Sequence, residues 1–248
     1  MLDALRTMRG VIRSLRIYYG DRKRAAAMDR LYARFVKPGD LVFDVGAHVG
    51  DRIAAFRRLG ARVVAVEPQP PLVRVLRLIY GRDRMVTVTH AAMGSCVGTT
   101  MLNINIENPT ISTASTDFMR AASGAKGWDN EKWTKSIEVP LTTLDALIAA
   151  HGTPAFIKID VEGFEAEVLA GLTQPVPALS FEFTTIQRDV ALKCIHRCAE
   201  LGFVRFNAAL GESQTMQHAD WIGSDAIARW LADLPYAANS GDIYAVRG

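Results

Sequence analysis

Leu41-Val42-Phe43-Asp44-Val45-Gly46-Ala47-His48-Val49-Gly50 decides the fold. It reads as a buried strand that runs into a glycine-punctuated turn, and the turn opens a helix. In an open α/β sheet such a turn is expected to present free backbone N–H groups to a ligand. Gly46 lets the chain turn tightly, and Gly50 is expected to let a ligand or a strand approach the new helix. The acid precedes the first glycine and the glycines are spaced GxxxG, which departs from the GxGxxG of dinucleotide folds. The pattern suits a turn around a zwitterion, whose amino acid end needs anion and cation partners together.

The apolar run Arg62-Val63-Val64-Ala65-Val66 reads as a second strand of a parallel sheet and ends in Glu67-Pro68. A carboxylate at that strand tip, about twenty residues past the glycine turn, suits a ribose diol, since its oxygens can accept both hydroxyl protons. Pro68 stops the strand and sends the chain into a helix over 72–80. A third strand, 85–89, leads into His90-Ala91-Ala92-Met93-Gly94, where small side chains leave room for a flat adenine ring.

Further along, 97–106 alternates like an extra strand. From 107 to 135 the pattern fades into a long polar loop or small lid holding Trp128 and Trp133. A strand over 136–141 and a helix from Thr143, ended by Gly152, come next. The strand 155–159 then delivers Asp160-Val161-Glu162-Gly163-Phe164-Glu165 beside the first strand. Glu165 opens a helix, where a carboxylate favours the dipole; Asp160 and Glu162 have no such role and point to the ligand crevice. Glu182 lies in the apolar strand 178–183 and, being costly to bury alone, is expected to pair with Lys158. A helix 187–201, a strand 203–206 and a last strand 243–246, antiparallel inside the sheet edge, complete the pattern; 214–236 reads as a connection carrying Trp221 and Trp230. The fold class is α/β, a doubly wound, mostly parallel seven-stranded sheet with helices on both faces and an N-terminal helical extension. Residues 1–36 form that extension and 37–248 the main domain.

A chain of 248 residues with 49% hydrophobic and 22% charged residues describes a soluble globular protein. No apolar run is long enough to span a bilayer and no secretory signal is evident, so a cytoplasmic setting is expected. Cys96, Cys194 and Cys198 give no disulfide framework, and Cys194 and Cys198 read as buried structural thiols. Residues 1–37 carry a net +7 against −4 for the rest. Leu5, Met8, Ile12 and Leu15 form one stripe of a helix ringed by arginines, which suits a cap on the domain or, through residues 1–24, contact with an anionic membrane surface. With near-neutral overall charge and no recognition module, nucleic acid is not an expected partner.

Asp44 to Gly50, Glu67-Pro68, Ala92-Met93-Gly94, Leu144-Asp145 and above all Ile157-Lys158-Ile159-Asp160-Val161-Glu162-Gly163 resemble FkbM-type methyltransferases, over roughly 36–206. The resemblance implies a class I fold, S-adenosylmethionine as cofactor, and methylation of a hydroxyl oxygen on a sugar, glycan or secondary metabolite. Where the family commonly has Asn in the glycine turn this chain has His48, which is expected to make cofactor affinity pH-sensitive. The cofactor set is Asp44, Val45, Gly46, Ala47, His48, Gly50, Glu67, Pro68, Ala91, Ala92 and Asp160. The proton acceptors are Asp160 first, then Glu162, with His48, His90 and Glu182 as further bases. Ser112 and Ser115 are candidate substrate contacts. No metal is assigned, although the acids around Asp160 leave Mg²⁺ open. The alternatives are an NAD(P)-dependent oxidoreductase, against which the absent GxGxxG argues, and a non-catalytic cofactor-binding module at a membrane surface.

Overall fold

The computed structural model describes the backbone from Leu2 to Gly248 and side chains from Arg9 onward. Two helices come first, α1 (Leu2–Tyr19) and α2 (Arg22–Tyr32). Asp21 separates them and caps α2, its carboxylate accepting from the N–H groups of Lys23 and Arg24. The glycine turn then links β1 (Leu41–Val45) to α3 (Asp51–Arg58). Next come β2 (Arg62–Val66), α4 (Pro70–Tyr80), β3 (Val86–Thr89), β4 (Ala92–Met93) and β5 (Gly98–Ile104). After a 3₁₀ turn at Pro109–Ile111 follow α5 (Thr116–Ala122), β6 (Lys135–Thr142) and α6 (Leu144–His151). The remaining elements are β7 (Phe156–Ile159), α7 (Glu165–Ala170), β8 (Ala178–Thr184), α8 (Arg188–Glu200), β9 (Phe203–Leu210), α9 (Ser224–Asp233) and β10 (Ser240–Arg247).

Seven strands form one sheet in the order β3-β2-β1-β7-β8-β10-β9, all parallel except β10, which runs antiparallel to both neighbours. The strand order reverses between β1 and β7, and a crevice opens there beyond the carboxyl ends. Alternate residues feed two cores because strand side chains point to opposite faces. Phe43, Val45, Val64 and Ile157 join the core packed by α6 to α9, whereas Val42, Val63, Ala65 and Phe156 join the one packed by α2 and α3.

That alternation also places the polar residues. Asp44 lies beside Lys158, Lys158 beside Ser180, Ser180 beside Tyr244, and Glu182 beside Asp242. With spacings of two along each strand, all of them share the α2–α3 face and form a polar band near the crevice.

Three features differ from the sequence expectation. The segments at 92–93, 98–104 and 135–142 build a second, three-stranded sheet, β4-β6-β5. The stretch 107–135 is packed rather than loose: Phe118 is fully buried with Trp128 and Trp133 edge-on to its ring, and the Trp133 indole donates to the Ile111 carbonyl at 2.8 Å. Finally, the buried face of α1 is Gly10, Val11 and Ser14, with Leu15 and Tyr18 partly covered, while Ile12 of the expected stripe is 42% exposed. Gly10 lets α1 approach closely, since a Cβ there would lie 2.9 Å from the Pro109 ring. The side chains of Leu5, Arg6 and Met8 lie outside the described residues. Among the described residues no helix is long and apolar enough to cross a membrane.

Candidate functional site

The glycine turn keeps most of its N–H groups for the protein itself. Gly46 and Ala47 donate to the Val66 carbonyl at 2.9 and 3.1 Å, Gly50 donates to Ala47, and His48 donates to Glu67 Oε2 at 2.9 Å. The expected free donors are therefore largely spent on joining β1 to β2. Gly46 is required by close approach: a Cβ there would lie 1.7 Å from the Asp160 carbonyl oxygen. Gly50 has a different neighbour from the expected ligand or strand, because its Cβ would meet the Tyr80 ring and Leu76 of α4. His48 has a left-handed φ of 48°, a conformation that Asn and His tolerate better than most residues, and this is what the position asks of its side chain.

Glu67 is buried at the tip of β2, where Oε1 accepts the Gln69 N–H at 2.8 Å and Oε2 that of His48. Each oxygen keeps a lone pair for a further donor. Burial pushes its pKa up to about 8 against the pull of those two N–H groups. Asp44 is also buried, and its Oδ2 has no hydrogen-bond partner. Burial, followed by the charge of Asp51, raises Asp44 to about 7. His48 moves the other way, down to about 4, because burial disfavours the imidazolium. Its ring is thus neutral across the physiological range, and the expected pH switch at this residue lies too low to act there.

Lys158 is fully buried, and its Nζ donates to Asp242 at 2.7 Å and to Asp160 at 3.2 Å. Burial opposes its charge, but the two carboxylates outweigh burial and hold the ammonium protonated. The expected partner of Lys158, Glu182, is not bonded to it; Asp242 takes that place from the inserted strand β10. Glu182 Oε2 is buried and unpartnered. Asp160, Glu162 and Glu182 bring carboxylate oxygens within 4.8 Å of one another. Burial and then the neighbouring charges push both Glu162 and Glu182 well above the usual carboxylate range. Burial also acts on Asp160, yet Lys158 and Arg52 bring it below that range, so it stays ionised.

These groups meet at one cleft. Asp44, Gly46, Ala47, His48, Glu67 and Pro68 contribute to its wall, as do Ala92, Asp160, Glu162 and Glu182. Val45, Gly50 and Ala91 of the expected cofactor set are not among the residues that line it. His90 turns away and contacts the Pro68 carbonyl at 3.0 Å. Ser112 reaches the cleft and bonds Gln69 at 3.2 Å. Ser115 instead caps α5 through the Phe118 N–H. Glu165 is the structural brace of the acidic turn, its Oε1 accepting from Val161 and Gly163.

Sequence reasoning missed the residues at the mouth of the cleft. Tyr18 of α1 lies edge-on to His48 at 5.5 Å. Arg24 and Arg52 share Asp51 and Glu212 through contacts of 2.6–3.0 Å. The only signal for this network was the charge density of the first helices.

A family model, the methyltransferase FkbM domain, matches residues 44–217. The chain is 30% identical over 168 residues to the 31-O-demethyl-FK506 methyltransferase FkbM of Streptomyces tacrolimicus, covering 58% of this chain and 65% of that protein. It is 25% identical over 163 residues to the hexuronic acid methyltransferase AglP of Haloferax volcanii, covering 65% of this chain and 62% of that one. The chain thus spans less than two thirds of either relative. Among solved structures, a TehB-like SAM-dependent methyltransferase from Corynebacterium glutamicum aligns over 90% of this chain and 88% of its own, with 9% identity and a TM-score of 0.47. The matched model takes in Asp44 and Val45 at the end of β1, the glycine turn, Glu67 and the acidic turn after β7, and on that match the chain belongs to the FkbM methyltransferase family.

Proposed function

We propose that this protein is an S-adenosylmethionine-dependent methyltransferase acting on a hydroxyl oxygen of a sugar, glycan or secondary metabolite. The observation that carries the proposal is the pairing, in one cleft at the strand-order reversal, of Glu67 with spare lone pairs and Asp44 with an unpartnered buried oxygen. Glu67 fits a vicinal diol. Asp44 fits the cationic amino acid end of the cofactor, and Ala92 and Met93 supply an apolar wall for the adenine. Bound S-adenosylmethionine supplies an electrophilic methyl group, which leaves alignment, exclusion of water and proton removal to the protein. Asp160, ionised beside Lys158, is the carboxylate able to take the acceptor proton at neutral pH, with Glu162 next to it. The choice of oxygen rests on family membership and on the names of the two relatives, one of which acts on a hexuronic acid.

Calorimetric titration of the stripped full-length chain with S-adenosylhomocysteine tests the reading. One-site binding is expected, weakened at least tenfold (~1.4 kcal/mol) in Glu67→Ala. Undiminished affinity in that variant would sink the cofactor assignment.

A further inference from the structure

Helix α1 lies against α4, where Val11 packs with Leu72 and Val75. The outer faces of this pair carry charge of one sign. Neither α4 nor α1 from Arg9 onward contains an acid. Arg9, Arg13 and Arg16 on α1 and Arg74 and Arg77 on α4 are all exposed, and none has an ion pair among the described residues. In the turn after α4, Asp83 is already held by Arg57 at 2.7 Å, which leaves its exposed neighbours Arg82 and Arg84 unmatched. Apolar side chains stand among these arginines. Ile12 and Ile79 are exposed, and Leu78, one helical turn from Arg74, is 86% exposed. A single exposed leucine is ordinary. This one continues into an open groove whose walls include Val11, Val75, Leu78, Ile104 and Ile137. The charged residues lining that groove are Arg74 and Lys135, both cationic. A contiguous apolar patch rimmed by charge marks a surface that meets a partner.

We propose that α1 and α4 together dock this protein on an anionic phospholipid bilayer. The arginines meet headgroup phosphates, while Leu78 and the groove beside it take up acyl chains. Long arginine stems allow this, because the guanidinium stays at headgroup level as the apolar neighbour goes deeper. A nucleic acid backbone would use the same arginines but leave Leu78, Ile79 and the groove in water. The sequence alone suggests residues 1–24 as the contact. In the structure α4 lies beside them and carries, among the described residues, the most exposed of the large apolar side chains. Tyr18, near the end of α1, also lines the cleft, so the docking surface and the site share one helix. The docking itself does not depend on the methyltransferase reading.

Flotation of the full-length chain on vesicles tests this, with pure phosphatidylcholine set against an equal mixture of phosphatidylcholine and phosphatidylglycerol. Binding is expected to the mixture alone, and it should weaken as salt is raised. Arg74→Glu combined with Arg77→Glu is expected to lower partition at least about tenfold. Leu78→Asn, at unchanged charge, is expected to lower it at least about threefold. All three positions are exposed, so the melting temperatures should match that of the parent chain, which separates lost docking from misfolding. Equal binding to the two kinds of vesicle, or undiminished binding in either variant, overturns the proposal. So does a duplex oligonucleotide that displaces the chain from the mixed vesicles with an affinity that Leu78→Asn leaves unchanged, since the arginines then serve nucleic acid. Flotation needs neither cofactor nor turnover, so its failure and that of the methyltransferase reading are told apart.

Discussion

Glu67 shows how one side chain couples the site to pH. Burial lifts it to about 8 and lifts Asp44 to about 7. A carboxyl raised in the folded state adds stability that is complete below its unfolded pKa and is lost as pH climbs through the folded value. The ligand-free chain is therefore expected to melt at a lower temperature near pH 8.5 than near pH 5.5, by an amount worth a few kcal/mol at most. Glu67→Gln removes one of the raised titrations, so its melting temperature should fall less over the same range; an identical slope would refute the linkage. Gly46 gives a second expectation at this scale. Its φ of 83° and the Asp160 carbonyl leave no space for a side chain, so Gly46→Ala is expected to cost at least ~1–3 kcal/mol of strain and to displace the acidic turn, read as lost S-adenosylhomocysteine affinity.

The elements make the Lys158 bridge a joint between β7 and β10, across the intervening β8. Lys158→Met strips β7 of the charge that faces Asp242 on β10, leaving a buried carboxylate alone, at an expected cost of ~3–5 kcal/mol in denaturant unfolding. Lys158→Met combined with Asp242→Asn is expected to recover much of that loss. The parallel strands and their tip acids were legible in the sequence, because strands buried on both faces write unbroken apolar runs and a charge at their ends stands out. The partner of Lys158 was not legible: it depends on the register of β10 against β8, and a nearer acid, Glu182, offered itself first. The second sheet escaped for a related reason, since alternation announced β5 and β6 but not their pairing with the two residues of β4. On α1 the expected face was off by a residue, because small Gly10 and Ser14, rather than the larger Ile12, face the fold.

At the scale of the molecule, α1 is part of the wall of the site. Val11 packs with Val49 and Leu72, and the Tyr19 hydroxyl donates to the Val49 carbonyl at 3.0 Å. Deleting residues 1–20 uncovers that cluster and removes Tyr18 from the cleft. We expect the shortened chain to keep the circular dichroism of the sheet and to lose about 3 kcal/mol, the worth of one or two large buried side chains. Unchanged stability would show that α1 rests on the surface without contributing. The placement of β10 between β8 and β9 has a consequence for biosynthesis. Strand β9 leaves the ribosome before β10, the strand that joins it to the sheet, and Lys158 is made 84 positions ahead of Asp242. Until Asp242 emerges, a nascent chain can assemble only part of the sheet, with β9 bridged to Met216 and Ile222 but not yet joined to β8 through β10. Closure of this half of the protein is thus timed by translation, and the interval before it is when the open edges of β8 and β9 are most exposed to aggregation and most in need of a chaperone.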